Sequence, residues 1–160
     1  MEQTSRRLIS ASMLVGLLSA VLVFIGMMIP MIDMSAFHEK IQIKYNIFKV
    51  CENVGMISST WKGIPYGMLI GVIVMVVLSF VDIPVLKLIP IMIMLAMFII
   101  MFVDMGNIIN LAKELVRRFL GEGVVELENE NVLKSISLGV YFMIAGIVTG
   151  IVSCFCPGKE

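Results

Sequence analysis

Apolar residues along this chain gather into four unbroken runs, separated by polar connections of very unequal length. The runs cover residues 8–31, 64–81, 84–103 and 136–155. Each is close to the roughly 20 apolar residues that a helix needs to cross the hydrocarbon of a bilayer. Each reads as a transmembrane helix, because a helix satisfies its own backbone where no water is present. Only Lys87 brings a charge into any of them, near the start of the third, where a long side chain is expected to snorkel to the interface. The joint Val81-Asp82-Ile83-Pro84 is so short that the second and third spans must form a helical hairpin. Arg6 and Arg7 precede the first run as they would in a secretory signal. That run is longer than the roughly 7–15 residues of a cleaved apolar core, so an uncleaved anchor is expected.

Two of the connections carry patterns of their own. Between the first and second spans, residues 41–47 (IQIKYNI) alternate apolar and polar with a period of two, which predicts a half-buried strand. Trp61 and Tyr66 follow where the second span begins and are expected to anchor it at the membrane interface. A loop with strand character reads as a small structured cap. After Asp104, residues 106–119 place Ile108, Leu111, Ala112, Leu115, Val116 and Phe119 at helical spacing, and Gly121 supplies a stop. The third helix is therefore expected to extend to about residue 120, projecting roughly 20 Å at about 1.5 Å per residue. Alternatively it bends at Gly106 and lies among the headgroups, with Lys113, Arg117 and Arg118 reaching lipid phosphate or a partner. Glu122, Glu126, Glu128 and Glu130 come next; they lack the spacing of a helix–loop–helix calcium site and read as a solvated acidic loop.

Small residues recur at four-residue spacing inside three of the spans. GIPYGMLIG places Gly63, Gly67 and Gly71 on one helical face. Ser12, Gly16 and Ala20 form such a stripe on the first span, and Gly146 and Gly150, continued by Cys154, on the fourth. In lipid such stripes let helix backbones approach closely, which predicts a bundle in which the first, second and fourth spans pack tightly. The same stripes also allow homodimerisation. The third span, PIMIMLAMFIIMF, is bulky and methionine-rich, and is expected to be peripheral or to face a partner. The fold class predicted is an all-α membrane protein: one four-transmembrane-helix bundle over residues 1–160, with a small strand-bearing loop and an extended third helix.

Composition agrees with that reading. Of the 160 residues 59% are hydrophobic and 15% charged, against about 45–50% and 25% in soluble domains, and mean hydropathy is +1.03. This length leaves room for one bundle and no appended soluble domain. Zero net charge gives no reason to expect nucleic acid as a partner. His38 is the only histidine, which excludes a histidine-rich metal site. Cys154-Phe155-Cys156 lacks the two-residue spacing of a zinc or redox pair. Acylation of those cysteines at the membrane boundary and simple helix-end packing both remain open. No positioned acid, base or nucleophile is visible within the spans, so neither catalysis nor a cofactor or metal is expected. Nor does any span carry an ionisable residue at its midplane, as ion-coupled carriers do.

Orientation rests on basic residues. Arg6 and Arg7 flank the first span and place the N-terminus, and with four spans the C-terminus, in the cytoplasm. Lys87 and Lys159 then lie inside as well. The other eight basic residues, Lys40, Lys44, Lys49, Lys62, Lys113, Arg117, Arg118 and Lys134, fall outside, against the usual bias. The expected location is the plasma membrane. The order of elements resembles the claudin-like four-span architecture in outline: a span, a strand-bearing outer loop with Trp61, a tight hairpin with an extended third helix, and a last span. That resemblance covers topology alone. The claudin signature of a Trp followed by Gly-Leu-Trp and two cysteines is unmatched, since Trp61 is single and Cys51 has no partner in its loop. The stretches GMMIPMIDMS and SLGVYFMIAGIVTG are also similar to those of small uncharacterised bacterial four-span membrane proteins.

The function expected is that of a non-enzymatic interaction or accessory protein. It would present the cap and third helix to a membrane-protein partner, or to a second copy of itself. The alternative is a pore or transporter subunit active as an oligomer, with Ser10, Ser12, Ser19 and Thr149 lining a narrow polar path.

Overall fold

A computed structural model describes residues 10–33, 35, 42–56, 59–81, 83–104, 110, 114, 117–118 and 136–157. Among them the first span is α1, Ala11–Met28. Ser10 caps it, its hydroxyl accepting the Met13 N–H at 3.0 Å. The helix closes before residue 31 because Pro30 cannot donate, and Ile29 ahead of it is driven to extended backbone (φ −78°, ψ 161°). The second span is α3, Ile64–Val81, entered through a 3-10 turn over Ser59–Gly63. The third is α4, Leu88–Val103, entered through a 3-10 turn over Pro84–Lys87. Pro84 and Pro90 both fall at this entry, where a missing N–H costs nothing. The fourth span is α5, Leu138–Phe155. With their entry turns, all four are long and apolar enough to cross a bilayer. The protein is an all-α, multi-pass integral membrane protein.

The cap between α1 and α3 is partly strand, as the alternation predicts, but the strand is short. β1 (Ile32–Asp33) and β2 (Lys44–Tyr45) pair antiparallel, Ile32 facing Tyr45 and Asp33 facing Lys44. The chain then turns into a two-turn helix, α2 (Ile47–Val54), capped by the Asn46 side chain, which accepts the Lys49 N–H. Ile47, Val50, Cys51 and Val54 are buried on one face of it. Ile32 also bridges to Ile136 ahead of α5, and the Ser137 and Gly139 N–H groups donate to the Met31 and Pro30 carbonyls at 2.9 Å. The cap is thus stitched to both ends of the chain's membrane path, which is why α5 starts at residue 138 rather than 136.

In the bundle, α1 packs most extensively on α5, and α3 divides its contacts evenly between α1 and α4. The third span is the least buried of the four. It is nonetheless a full neighbour of α3, which modifies the expectation that only the other three pack closely. The Asp104 N–H bonds the Ile100 carbonyl at 3.1 Å as α4 closes at Val103. Beyond it, Asn110, Glu114, Arg117 and Arg118 are helical, and Arg118 Nε meets Glu114 Oε1 at 3.1 Å one turn apart. The continuity of the extension, Lys113, and the acidic stretch 121–131 lie outside the described residues.

Candidate functional site

The small-residue stripes divide between two kinds of seam. On α1–α5, backbone meets backbone. A Cβ added at Gly146 would lie 2.8 Å from Val23 N and 3.0 Å from Ser19 O, whereas one at Gly150 would meet side chains, Ser19 Oγ at 2.8 Å and Ile91 Cγ1 of α4 at 3.1 Å. Gly26 and Gly139 oppose each other in the same way: a Cβ added at either would lie 2.8 Å from the other's carbonyl oxygen. The Ser19 hydroxyl donates across this seam to the Gly146 carbonyl at 2.7 Å. On α3–α4, glycine meets methionine: a Cβ added at Gly67 would lie 2.8 Å from Met97 Cε, and one at Gly71 2.5 Å from Met94 Cγ and 3.3 Å from the Pro90 carbonyl oxygen. Gly16 belongs to neither seam, since a Cβ there would strike Ser79 Oγ on α3. Ala20 is buried with Val23 and Met27 in the core. Gly63 lies in the 3-10 turn, exposed, and a Cβ added there would meet nothing within 4 Å, so it makes no close approach to a neighbouring helix.

At the bundle end holding the start of α1 and the α3–α4 joint, polar side chains gather inside the protein. Lys87 is fully buried, and its Nζ donates to Ser12 Oγ at 2.6 Å. It does not snorkel outward. It sits in the 3-10 turn after Pro84, where the Ser12 hydroxyl stands in for water as a partner. Ser12 Oγ donates on to the Ser153 carbonyl at 3.0 Å, Ser153 Oγ to the Gly150 carbonyl at 2.6 Å, and Ser79 Oγ to the Met75 carbonyl at 2.7 Å. Among the described residues no buried side-chain nitrogen or oxygen lacks a partner. Of these hydroxyls only Ser12 bridges two helices; those of Ser153 and Ser79 bond back within their own. Of the four polar residues expected to line a path, Ser10 caps α1 and Thr149 bonds the Ala145 carbonyl of its own helix, while Ser12 and Ser19 are buried between helices.

At the opposite end Trp61 is fully buried, and its Nε1–H donates to Asp104 Oδ2 at 2.6 Å. It therefore ties the start of the second span to the end of the third. Its expected companion Tyr66 is 65% exposed. Asp33 accepts the Ser35 N–H and hydroxyl at 3.0 and 2.6 Å and meets Lys44 Nζ at 3.2 Å. The Ser35 hydroxyl bond, ahead of the lysine, holds this carboxyl below its ordinary range. Cys51 is a free thiol 1% exposed, its pKa pushed up to about 12 by burial, so it is a core residue and an inert one. Arg117 and Arg118 are exposed. Between α2 and the start of α3 opens a cleft of about 520 Å³ lined by Phe48, Cys51, Glu52, Lys62, Pro65 and Tyr66. The stem of Lys62 lies across Gly55, where a Cβ would come within 2.7 Å of Lys62 Cγ.

No family model, curated protein or solved structure matches the chain. Four spans are compatible with the four-span outline, and nothing in the comparisons supports a claudin kinship.

Sequence reasoning overlooked α2, although Ile47, Val50, Cys51 and Val54 recur at helical spacing behind the capping Asn46. It also overlooked Gly26 and Gly139, which are not four residues from another glycine and so escape a search for that spacing.

Proposed function

We propose that this protein is a non-enzymatic membrane interaction or accessory protein that presents its cap to a partner in the same membrane. The observation that carries the proposal is how firmly the cap is fastened. β1 pairs with β2 and with Ile136, Trp61 is bonded to Asp104, and α2 packs down through four buried side chains. A connector that merely linked two spans would need none of this. The satisfied hydroxyls of the bundle interior support a packing role over a polar path. On this reading the α1–α5 glycine seam serves internal packing, and partners dock elsewhere. Light scattering on protein purified in mild detergent is expected to show a homo-oligomer or a stoichiometric partner. A bare monomer, or solute flux through liposomes holding the purified chain alone, would overturn the proposal.

The cap is proposed to face outward from the plasma membrane with both termini cytoplasmic. Cys51 cannot report on this, being buried and thiol-protonated at neutral pH. Ser59 is exposed on the cap side. In a chain with Cys154 and Cys156 replaced by alanine, Ser59→Cys is expected to react with an impermeant maleimide on intact cells. Labelling only after the cells are opened would invert the topology, and the eight loop basic residues would then obey the positive-inside bias.

A further inference from the structure

We infer that the cleft between α2 and α3 holds the headgroup of one zwitterionic phospholipid drawn from the leaflet on the cap side. Its position comes first. Lys62 is the last charged residue before the apolar run of α3, while Pro65 and Tyr66 stand in the first turn of that run. The cleft therefore straddles the level at which a bilayer passes from headgroup to hydrocarbon. Its size of about 520 Å³ lies in the roughly 300–1,000 Å³ range of small-molecule sites.

The chemistry of the walls then selects the occupant. Lys62 and Glu52 give the cleft one cation and one anion, and Phe48 and Tyr66 give it two aromatic rings. A zwitterionic headgroup carries the matching pair, a phosphate next to the glycerol and an ammonium beyond it. Lys62, beside the start of the span, meets the membrane-proximal phosphate through a charge-assisted hydrogen bond. Glu52, on the cap helix, meets the outer ammonium, which also gains from lying against an aromatic face.

The side chains are suited to receive it. Gly55 lets the Lys62 stem lie flat, and among the described residues no ion pair holds the Lys62 ammonium. Glu52 is paired to Lys49 at 3.2 Å, but both side chains are more than 60% exposed, and a pair so solvated yields readily to a second cation. Tyr66, 65% exposed in a helix start, offers its ring to the first carbons of an acyl chain.

Native mass spectrometry of the full chain tests this, using protein released from nanodiscs with equal phosphatidylcholine and phosphatidylglycerol. One phosphatidylcholine per chain is expected to survive release in preference to phosphatidylglycerol. Lys62→Gln, exposed at the cleft, is expected to weaken that retention roughly tenfold, the usual consequence of losing one charged hydrogen bond, and Glu52→Gln, which removes only a solvated ion pair with a choline group that has no N–H to donate, by a smaller factor. Lys49→Gln, outside the cleft, frees Glu52 of a competing cation and should leave retention unchanged or raise it. Equal retention of the two lipids, preference for phosphatidylglycerol, or retention indifferent to Lys62→Gln would overturn the inference.

Discussion

The two seams of this bundle use glycine for opposite purposes. Between α1 and α5, Gly26, Gly139 and Gly146 bring main chains together, so a side chain added there would meet nitrogens and carbonyl oxygens that cannot move aside. Between α3 and α4, Gly67 and Gly71 leave hollows that Met97 and Met94 fill. Methionine is unbranched and polarizable, and adapts to an irregular gap. The first seam is therefore rigid and shape-determined, the second tolerant. In lipid, where no hydrophobic force drives helices together, such packing differences decide which contacts are indispensable.

That contrast can be broken experimentally, and the largest effect is expected at Gly146. Gly146→Leu places four carbons against Val23 N and Ser19 O, both backbone atoms. Overpacked cores lose about 1–3 kcal/mol and occasionally more, and this site should reach the upper end or fail to assemble. Thermal unfolding in detergent reads it; stability like that of the native chain would mean that α1 and α5 are not the close pair described.

A smaller loss is expected for Ser19→Ala, which removes the hydroxyl bonded to the Gly146 carbonyl. Hydrogen bonds between membrane helices average about 0.6 kcal/mol, so its denaturation midpoint should fall only slightly. A loss as large as that of Gly146→Leu would show that the bond, rather than the close approach, holds the seam.

At Gly67 the added methyl of alanine meets the mobile end of Met97, 2.8 Å from Cε. Rotation of that side chain should hold the cost within about 1 kcal/mol, and the better helix propensity of alanine offsets part of it. A severe defect in Gly67→Ala would make the second seam as rigid as the first. Smallest of all is Gly63→Ala, where the added methyl would meet no neighbour within 4 Å. It should be neutral or stabilising by up to about 1 kcal/mol through a less flexible unfolded chain; clear destabilisation would return Gly63 to the packing stripe.

The two ends of the molecule differ in a related way. The end at the α3–α4 joint closes around Lys87 and serine hydroxyls, whereas the cap end closes around Trp61 and Asp104. In both, a residue whose type points to the membrane surface has turned inward. A lysine near a span end ordinarily snorkels and a tryptophan ordinarily lies in the headgroup layer. Each is reversed here because the helix ends supply a partner: Ser12 for one, a carboxylate for the other.

Composition and local period were enough to dictate the elements of this fold. Four apolar runs of membrane-spanning length leave no alternative to four helices, since only closed hydrogen bonding survives in hydrocarbon. Ser10 and Pro30 mark the limits of α1, and the alternating stretch before Tyr45 marks a strand, because capping and pleating are read within a few residues. Which helix each small face meets was decided at the level of the assembled bundle. Gly16, Gly67 and Gly146 have the same spacing pattern in the sequence, yet they meet a serine, a methionine and a backbone. Spacing places a residue on a face, but the neighbour that covers the face is chosen by the whole chain, through contacts such as that between Gly139 and the carbonyl of Gly26 more than a hundred positions away.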